Sequence, residues 1–305
     1  MVAKKQKRSR KYRLANLKPH ISTISLLDLP PELRNIIYKF ALTEPDGITV
    51  CWRRGVSRSR KKPIMAACGD QAYPVNQIKL VNRQLHQETA GLEIRYSTVI
   101  FQSESHSRAG AINSFLAFIR HCAPSKLLWL TRVILKENID WTVDTPLRGC
   151  PMTWLKTHMR SLKKSMKVCA ANPHMSVHLE LPGWAIINDA GDYTAMNFIS
   201  VAIALARMFR GEDITHITGE FGDATQAAYK AMCDDALGKH KATIEEVRGG
   251  ARNLRFVPRW CEWEADRFRD EAAKTRARIA TVPFPDEERV TMWIKCAREW
   301  AVDGF

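Results

Sequence analysis

Hydrophobic positions recur along this chain in two rhythms, one helical and one alternating. Within residues 26–42, Leu33, Ile36, Ile37 and Phe40 fall at helical spacing and make one apolar stripe. Pro30 and Pro31 mark its start, because a proline lacks the N–H that has no partner in a first helical turn. Glu32 adds a negative charge at the positive end of the helix dipole. Pro45-Asp46-Gly47 predicts the turn that closes it. Asn76 is placed to cap a second helix, with Ile78, Val81, Leu85 and Leu92 on one face as the natural partner of the first stripe. Gly91 weakens that helix's last turns. Ile48–Trp52 and Thr98–Phe101 read as strands.

Further on, the two rhythms alternate. Helices are expected near Ala109–Cys122, Met152–Ala171 and Thr194–Arg210, with strands near Leu128–Lys136, Ser176–Leu181 and Ile214–Thr218. The loose helix–strand period predicts stacked units on one sheet, with right-handed crossovers if the strands are parallel. Ala224–Lys239 and Pro258–Ala280 read as helices. A further helix after Asp286 carries Val290, Trp293, Ile294, Ala297 and Trp300 as a stripe packed onto the body. The expected fold is helix-rich α+β. Its parts are a basic tail (residues 1–22), an N-terminal module (23–104) with a basic loop at 53–62, a helix–strand body (105–222) and C-terminal helices (223–305).

Charge refines this picture through its placement. The net charge is +15 over 305 residues. Lys4, Lys5, Lys7, Arg8, Arg10, Lys11 and Arg13, with Arg53, Arg54, Arg58, Arg60, Lys61 and Lys62, carry nearly all of it in two stretches without acids. The body is close to balanced, and the basicity belongs to a tail and a loop. The eight cysteines show no Cys-x-x-Cys pair, which suits reduced, mostly buried thiols. The longest apolar run, near Phe198–Phe209, is too short for a membrane span, and no membrane partner is expected. The basic N-terminus lacks a signal-peptide core, so a nuclear or cytoplasmic location is expected.

Two blocks resemble a known family. Leu27-x-Leu29-Pro30-Pro31-Glu32-Leu33-Arg34-Asn35-x-Ile37-Tyr38 looks like the opening of the fungal F-box-like proteins. Leu80-Val81-Asn82-Arg83-Gln84-Leu85-His86-Gln87-Glu88 is similar to their second helix, and Tyr96-Ser97-Thr98-Val99-Ile100-Phe101 to the Tyr-Ser strand that follows. The resemblance implies docking onto the adaptor subunit of a cullin-type ubiquitin ligase through Leu29, Pro30, Leu33, Ile36 and Ile37. It also implies a protein target selected by the body. Here the two helices are separated by Thr43–Gln77, longer than in a compact F-box.

No nucleotide, nucleophile-elbow or zinc-protease motif is found, and neither enzyme activity nor a cofactor or metal is expected. Cys169, His174 and His178 make at most three zinc ligands, one short of a stable structural site. Glu212, Asp213 and His216 group two acids with a histidine, without a nucleophile or cofactor signal beside them. The Met152–Ala171 helix has an apolar face of Leu155, Met159, Leu162 and Met166. A second face carries Lys156, Arg160, Lys163, Lys164 and Lys167, which could meet phosphates. The alternative function is therefore a nuclear protein that binds nucleic acid or an acidic partner through tail, loop and this helix. In that case the F-box-like segment is purely structural.

Overall fold

A computed structural model describes residues 25–54, 61–68, 74–103, 110–137, 151–181, 202–211, 227, 230–231, 233–235, 237–258, 266, 269–270 and 287–304. The basic tail, the strand expected at Ile214–Thr218, the Glu212–Asp213–His216 group and most of the helix expected at Pro258–Ala280 lie outside the described residues.

The described chain is helix-rich α+β and is organised on one mixed sheet. Its six strands are β1 (Ile48–Arg54), β2 (Lys61–Ala67), β3 (Val99–Gln102), β4 (Arg132–Lys136), β5 (Ser176–Leu181) and β6 (Leu254–Pro258), in spatial order β2-β1-β3-β4-β5-β6. β1 and β2 form an antiparallel hairpin, and every other neighbouring pair is parallel. The expected stacking of helix–strand units thus holds from β3 through β5. β6 is a correction, because it lies in a region read as helices only. β3 and β4, on either side of the expected boundary between residues 104 and 105, pair in parallel in this sheet. The hairpin revises the basic loop too: Arg53, Arg54, Lys61 and Lys62 lie in the strands themselves, and residues 55–60 fall outside the description.

Alternation decides which side of the sheet is covered. In β4 Val133 and Leu135 are buried while Ile134 and Lys136 are half-buried, and in β5 Val177, Leu179 and Leu181 are buried between Ser176, His178 and Glu180. The covered face meets α4 (Ala111–His121), α6 (Pro151–Ala171, which follows the one-turn α5 at Pro124–Leu127), the helix at 202–210 and the Glu287–Asp303 helix. All contribute to one core with Phe115, Leu155, Phe209 and Trp293. Phe101 stacks edge-on against Phe115 and Phe118 at 5.6 and 5.4 Å, a favoured aromatic geometry. The opposite face carries His178, paired in register with Ile134, and Glu180, paired with Lys136. Arg255 continues the His178 row on β6. The stripe on the Glu287–Asp303 helix is as expected: Val290, Trp293, Ile294 and Ala297 are buried and Trp300 packs against them.

The N-terminal region makes a second, smaller core outside this one. α1 (Pro31–Leu42) enters from a single turn at Leu26–Asp28 that Ser25 and Asp28 cap reciprocally. Its buried residues are Tyr38 and Leu42, which pack with Leu85 and Leu92 and with Leu26, Leu27, Ile78, Tyr96 and Trp129. The expected pairing of Leu33, Ile36, Ile37 and Phe40 with the second helix is therefore wrong, and Val81 is exposed as well. α1 is apolar on both sides, so its stripe alone does not say which side turns inward. The second helix is three pieces, namely a turn at Gln77–Leu80, α2 (Arg83–Thr89) and α3 (Leu92–Tyr96). Asn76 caps only the first piece and Asn82 caps α2 by accepting from Leu85 N at 2.8 Å. Gly91, at φ +97°, makes the break before α3 in a conformation that side chains resist.

Of the cysteines described, Cys169 and Cys233 are buried, Cys122 and Cys296 half-buried, and Cys51 and Cys68 exposed. The expected burial of the thiols holds for only part of the set. Among the described residues no helix is long and apolar enough to cross a membrane.

Candidate functional site

The motif residues of the two N-terminal blocks divide by chemistry. Arg34, Tyr38 and Gln84 meet at Glu88. Arg34 straddles its carboxylate, Nε donating to Oε2 at 3.1 Å and Nη2 to Oε1 at 2.9 Å. The Tyr38 hydroxyl donates to Oε2 at 2.6 Å and Gln84 Nε2 to Oε1 at 3.0 Å. Arg34 Nη1 also donates to the Leu29 and Leu27 carbonyls at 2.7 and 3.2 Å, which ties down the chain entering α1. Such bidentate, charge-assisted contacts fix orientation as well as adding energy. The Tyr38 hydroxyl, first through its hydrogen bond, holds the Glu88 carboxyl below its ordinary range, with Gln84 and Arg34 adding to the effect. Burial, reinforced by Glu88, pushes Tyr38 up to about 12.

A second network holds α3. The buried Glu93 carboxylate accepts from Asn76 Nδ2 at 2.6 Å, Gly91 N at 3.0 Å and Lys79 Nζ at 3.2 Å, and Asn76 Nδ2 also donates to the Thr89 carbonyl at 2.7 Å. Each polar group thus has a partner, as burial demands.

Four apolar residues of α1 face the other way. Leu33 is 48% exposed, Ile36 53%, Ile37 38% and Phe40 80%. Pro30 is exposed at the head of the same helix and Leu29 is half-buried. This helical face is apolar and open in front, while the Glu88 contacts hold the helix from behind. A shallow groove of about 580 Å³ beside it is lined by Asn35, Ile36, Lys39, Arg95, Tyr96 and Thr131. All five residues expected to dock, Leu29, Pro30, Leu33, Ile36 and Ile37, are therefore on or beside one surface. Arg34, Tyr38 and Glu88 were not expected as site residues. Their signal lay in the sequence: Arg34 and Tyr38 stand one turn apart on the side of α1 away from Leu33, Ile36 and Ile37, with an acid, Glu88, in the second block.

The basic face also forms. In α6 Leu155, Met159, Leu162 and Met166 are buried, whereas Arg160, Lys164 and Lys167 are exposed and Lys163 is half-buried. The side chain of Lys156 lies outside the described residues. The basic hairpin sits at the β2 edge of the sheet, while α6 lies between α4 and the segment around Lys241–Val247.

The Cys169, His174 and His178 side chains stay apart. Burial pushes the Cys169 thiol up to about 12. His174 contacts the Leu127 carbonyl at 3.0 Å, and His178 contacts Ser176 Oγ at 3.2 Å. Among the described residues no three histidine, cysteine or acid side chains converge as a metal-ligand set. Compared with protein-family models, with curated proteins and with solved structures, the chain finds no match.

Proposed function

We propose that this protein is a non-enzymatic interaction adaptor that docks through the outer face of α1 onto the adaptor subunit of a cullin-type ubiquitin ligase. The observation that carries this reading is the exposure of Leu33, Ile36, Ile37 and Phe40 along one side of a helix whose other side is locked by Glu88. The resemblance of this segment to the fungal F-box-like opening supplies the partner. The order of the polar contacts supports it, since Arg34 and Tyr38 hold the helix without using any apolar residue of that face. The body then presents a protein target to the ligase. Its half-exposed sheet face, with Lys136, His178 and Glu180, is the surface open to a target. The working location is nucleus or cytoplasm.

The test is co-purification of the ligase adaptor subunit with the full chain, wild type against Leu33→Asp/Ile36→Asp. Both residues are exposed, so the double variant keeps its fold by circular dichroism. Capture by the wild type and loss in the folded variant is the expected result. No capture by folded wild type overturns the reading.

A further inference from the structure

The strip of cations on α6 is longer than α6 itself. At 100° per residue, Arg160, Lys163, Lys164 and Lys167 fall within an arc of about 100° beside the buried stripe. The neighbour along that flank is the segment Gly238–Val247, which packs on α6 and brings exposed Lys239 and the His240 ring to the strip. Burial first, and then the positive charges of Lys163, Lys239 and Arg160, hold the titration of His240 below the ordinary range. Its Nδ1 is buried without a hydrogen-bond partner. α6 contains no acid along its length. Among the described residues none of Arg160, Lys163, Lys164, Lys167 and Lys239 is in an ion pair, whereas the next cation, Lys241, is held by Asp234 at 2.8 Å. Among the described residues these five cations thus stand together without counter-charges, an arrangement that repels itself unless an anion covers it.

Charge density selects the anion. Residues 160 to 167 span about 10 Å of helix axis. Duplex DNA offers one phosphate charge per about 1.7 Å of its axis, both strands counted. A wholly acidic extended peptide offers one per about 3.4 Å, with alternate side chains turned away. Among the described residues the strip also carries no exposed aromatic side chain on which unpaired bases could stack. We propose that Arg160, Lys163, Lys164, Lys167 and Lys239 form a binding surface for the phosphate backbone of a nucleic-acid duplex, read without base specificity. The surface is independent of the α1 face and of the adaptor reading.

The test is fluorescence anisotropy of the full chain with a mixed-sequence 20-base-pair DNA duplex over a salt series, wild type against Lys163→Gln/Lys164→Gln/Lys167→Gln. Surface substitutions of this kind keep the fold, and circular dichroism checks it. Loss of three phosphate contacts is expected to make the slope of log K against log salt shallower by about 2.7 and to weaken binding at low salt by at least about tenfold. Arg160→Gln/Lys239→Gln is expected to flatten the slope by about 1.8. A separate readout is the NMR titration of His240, which is expected to move up when duplex is added to wild type and not when it is added to the triple variant. Slopes equal in all three proteins, with His240 unmoved by duplex, place binding in the basic tail and hairpin and overturn the proposal. Displacement of the duplex from wild type by polyglutamate at equal charge concentration overturns it in favour of an acidic protein partner.

Discussion

Replacing Glu88 by alanine tests whether the docking face is held from behind. The substitution removes four hydrogen bonds: two from Arg34, one from Tyr38 and one from Gln84. The Arg34 side chain is only 11% exposed and Tyr38 is fully buried, so both donors lose their partner in a place water reaches poorly. A hydrogen bond to a charged group contributes about 1.5–3 kcal/mol, and stranding a buried partner adds its desolvation cost. Glu88 is itself partly exposed, which lets water recover some of the loss. The expected net cost is about 3 kcal/mol. Because Tyr38, Leu42, Leu85 and Leu92 form a core separate from the main one, the loss appears as local opening of α1 and α2. Amide hydrogen exchange of α1 is the assay, and protection there is expected to fall by roughly two orders of magnitude while that of β4 and β5 stays as it was. In a double-mutant cycle, Arg34→Ala and Glu88→Ala are expected to couple by about 1–2 kcal/mol. Acid gives a second check. The Glu88 carboxyl titrates below its ordinary 4.5 in the folded protein. Its stabilisation is therefore complete above that value and lost as pH falls through the depressed one. Wild-type α1 opens on acidification in that window, and the variant lacks this component. A cost under about 1 kcal/mol, or additive single effects, would refute the clamp.

Two further outcomes follow from burial. Leu33→Asp/Ile36→Asp is expected to change stability by no more than about 0.5 kcal/mol per site, whereas Leu42→Ala, from the opposite side of the same helix, costs about 2–5 kcal/mol in urea denaturation. Glu137 is buried beside the start of α4, where its carboxylate accepts from Ile112 N at 3.3 Å. Burial pushes its carboxyl up from the ordinary 4.5. Its contribution to stability is therefore full at low pH and is lost as pH rises above 4.5 through the raised folded value. Glu137→Gln is expected to remove that decline, seen as a flatter dependence of melting temperature on pH.

Much of the architecture could be read from periodicity. β5 lies at Ser176–Leu181 as expected and α6 at Pro151–Ala171, because a clean alternation and a clean helical stripe each allow one side to be inside. α1 allowed two. Leu33, Ile36, Ile37 and Phe40 form the more obvious stripe, yet Tyr38 and Leu42 are the buried pair. What decides is a polar contact 50 residues away in sequence, from Tyr38 to Glu88, which a hydrophobic pattern does not carry. β6 was missed for a related reason. Only Leu254 and Phe256 alternate inward there, on either side of Arg255. The strand is placed by its neighbours: Val177 N donates to the Asn253 carbonyl at 2.9 Å, and Asn253 Nδ2 spans the Cys169, Asn172 and Met175 carbonyls. Lys239 and His240 join the basic strip by the same kind of tertiary contact, invisible to a reading of α6 alone.

The order β1-β3-β4-β5-β6 has a consequence for biosynthesis. β3 is laid beside β1, and from β4 to β6 each described strand is laid beside the described strand made before it, so every one of these strands finds its template already emerged from the ribosome. Assembly can proceed vectorially, with one growing edge at a time. That edge is a bare ladder of backbone donors and acceptors until the next strand arrives. After β6 no described strand arrives; the Glu287–Asp303 helix packs against β6 instead, with Arg255 reaching the Asp303 carbonyl at 2.9 Å. A nascent chain stalled between β6 and that helix would display the open ladder, and chaperones that hold unpaired strands would find it there.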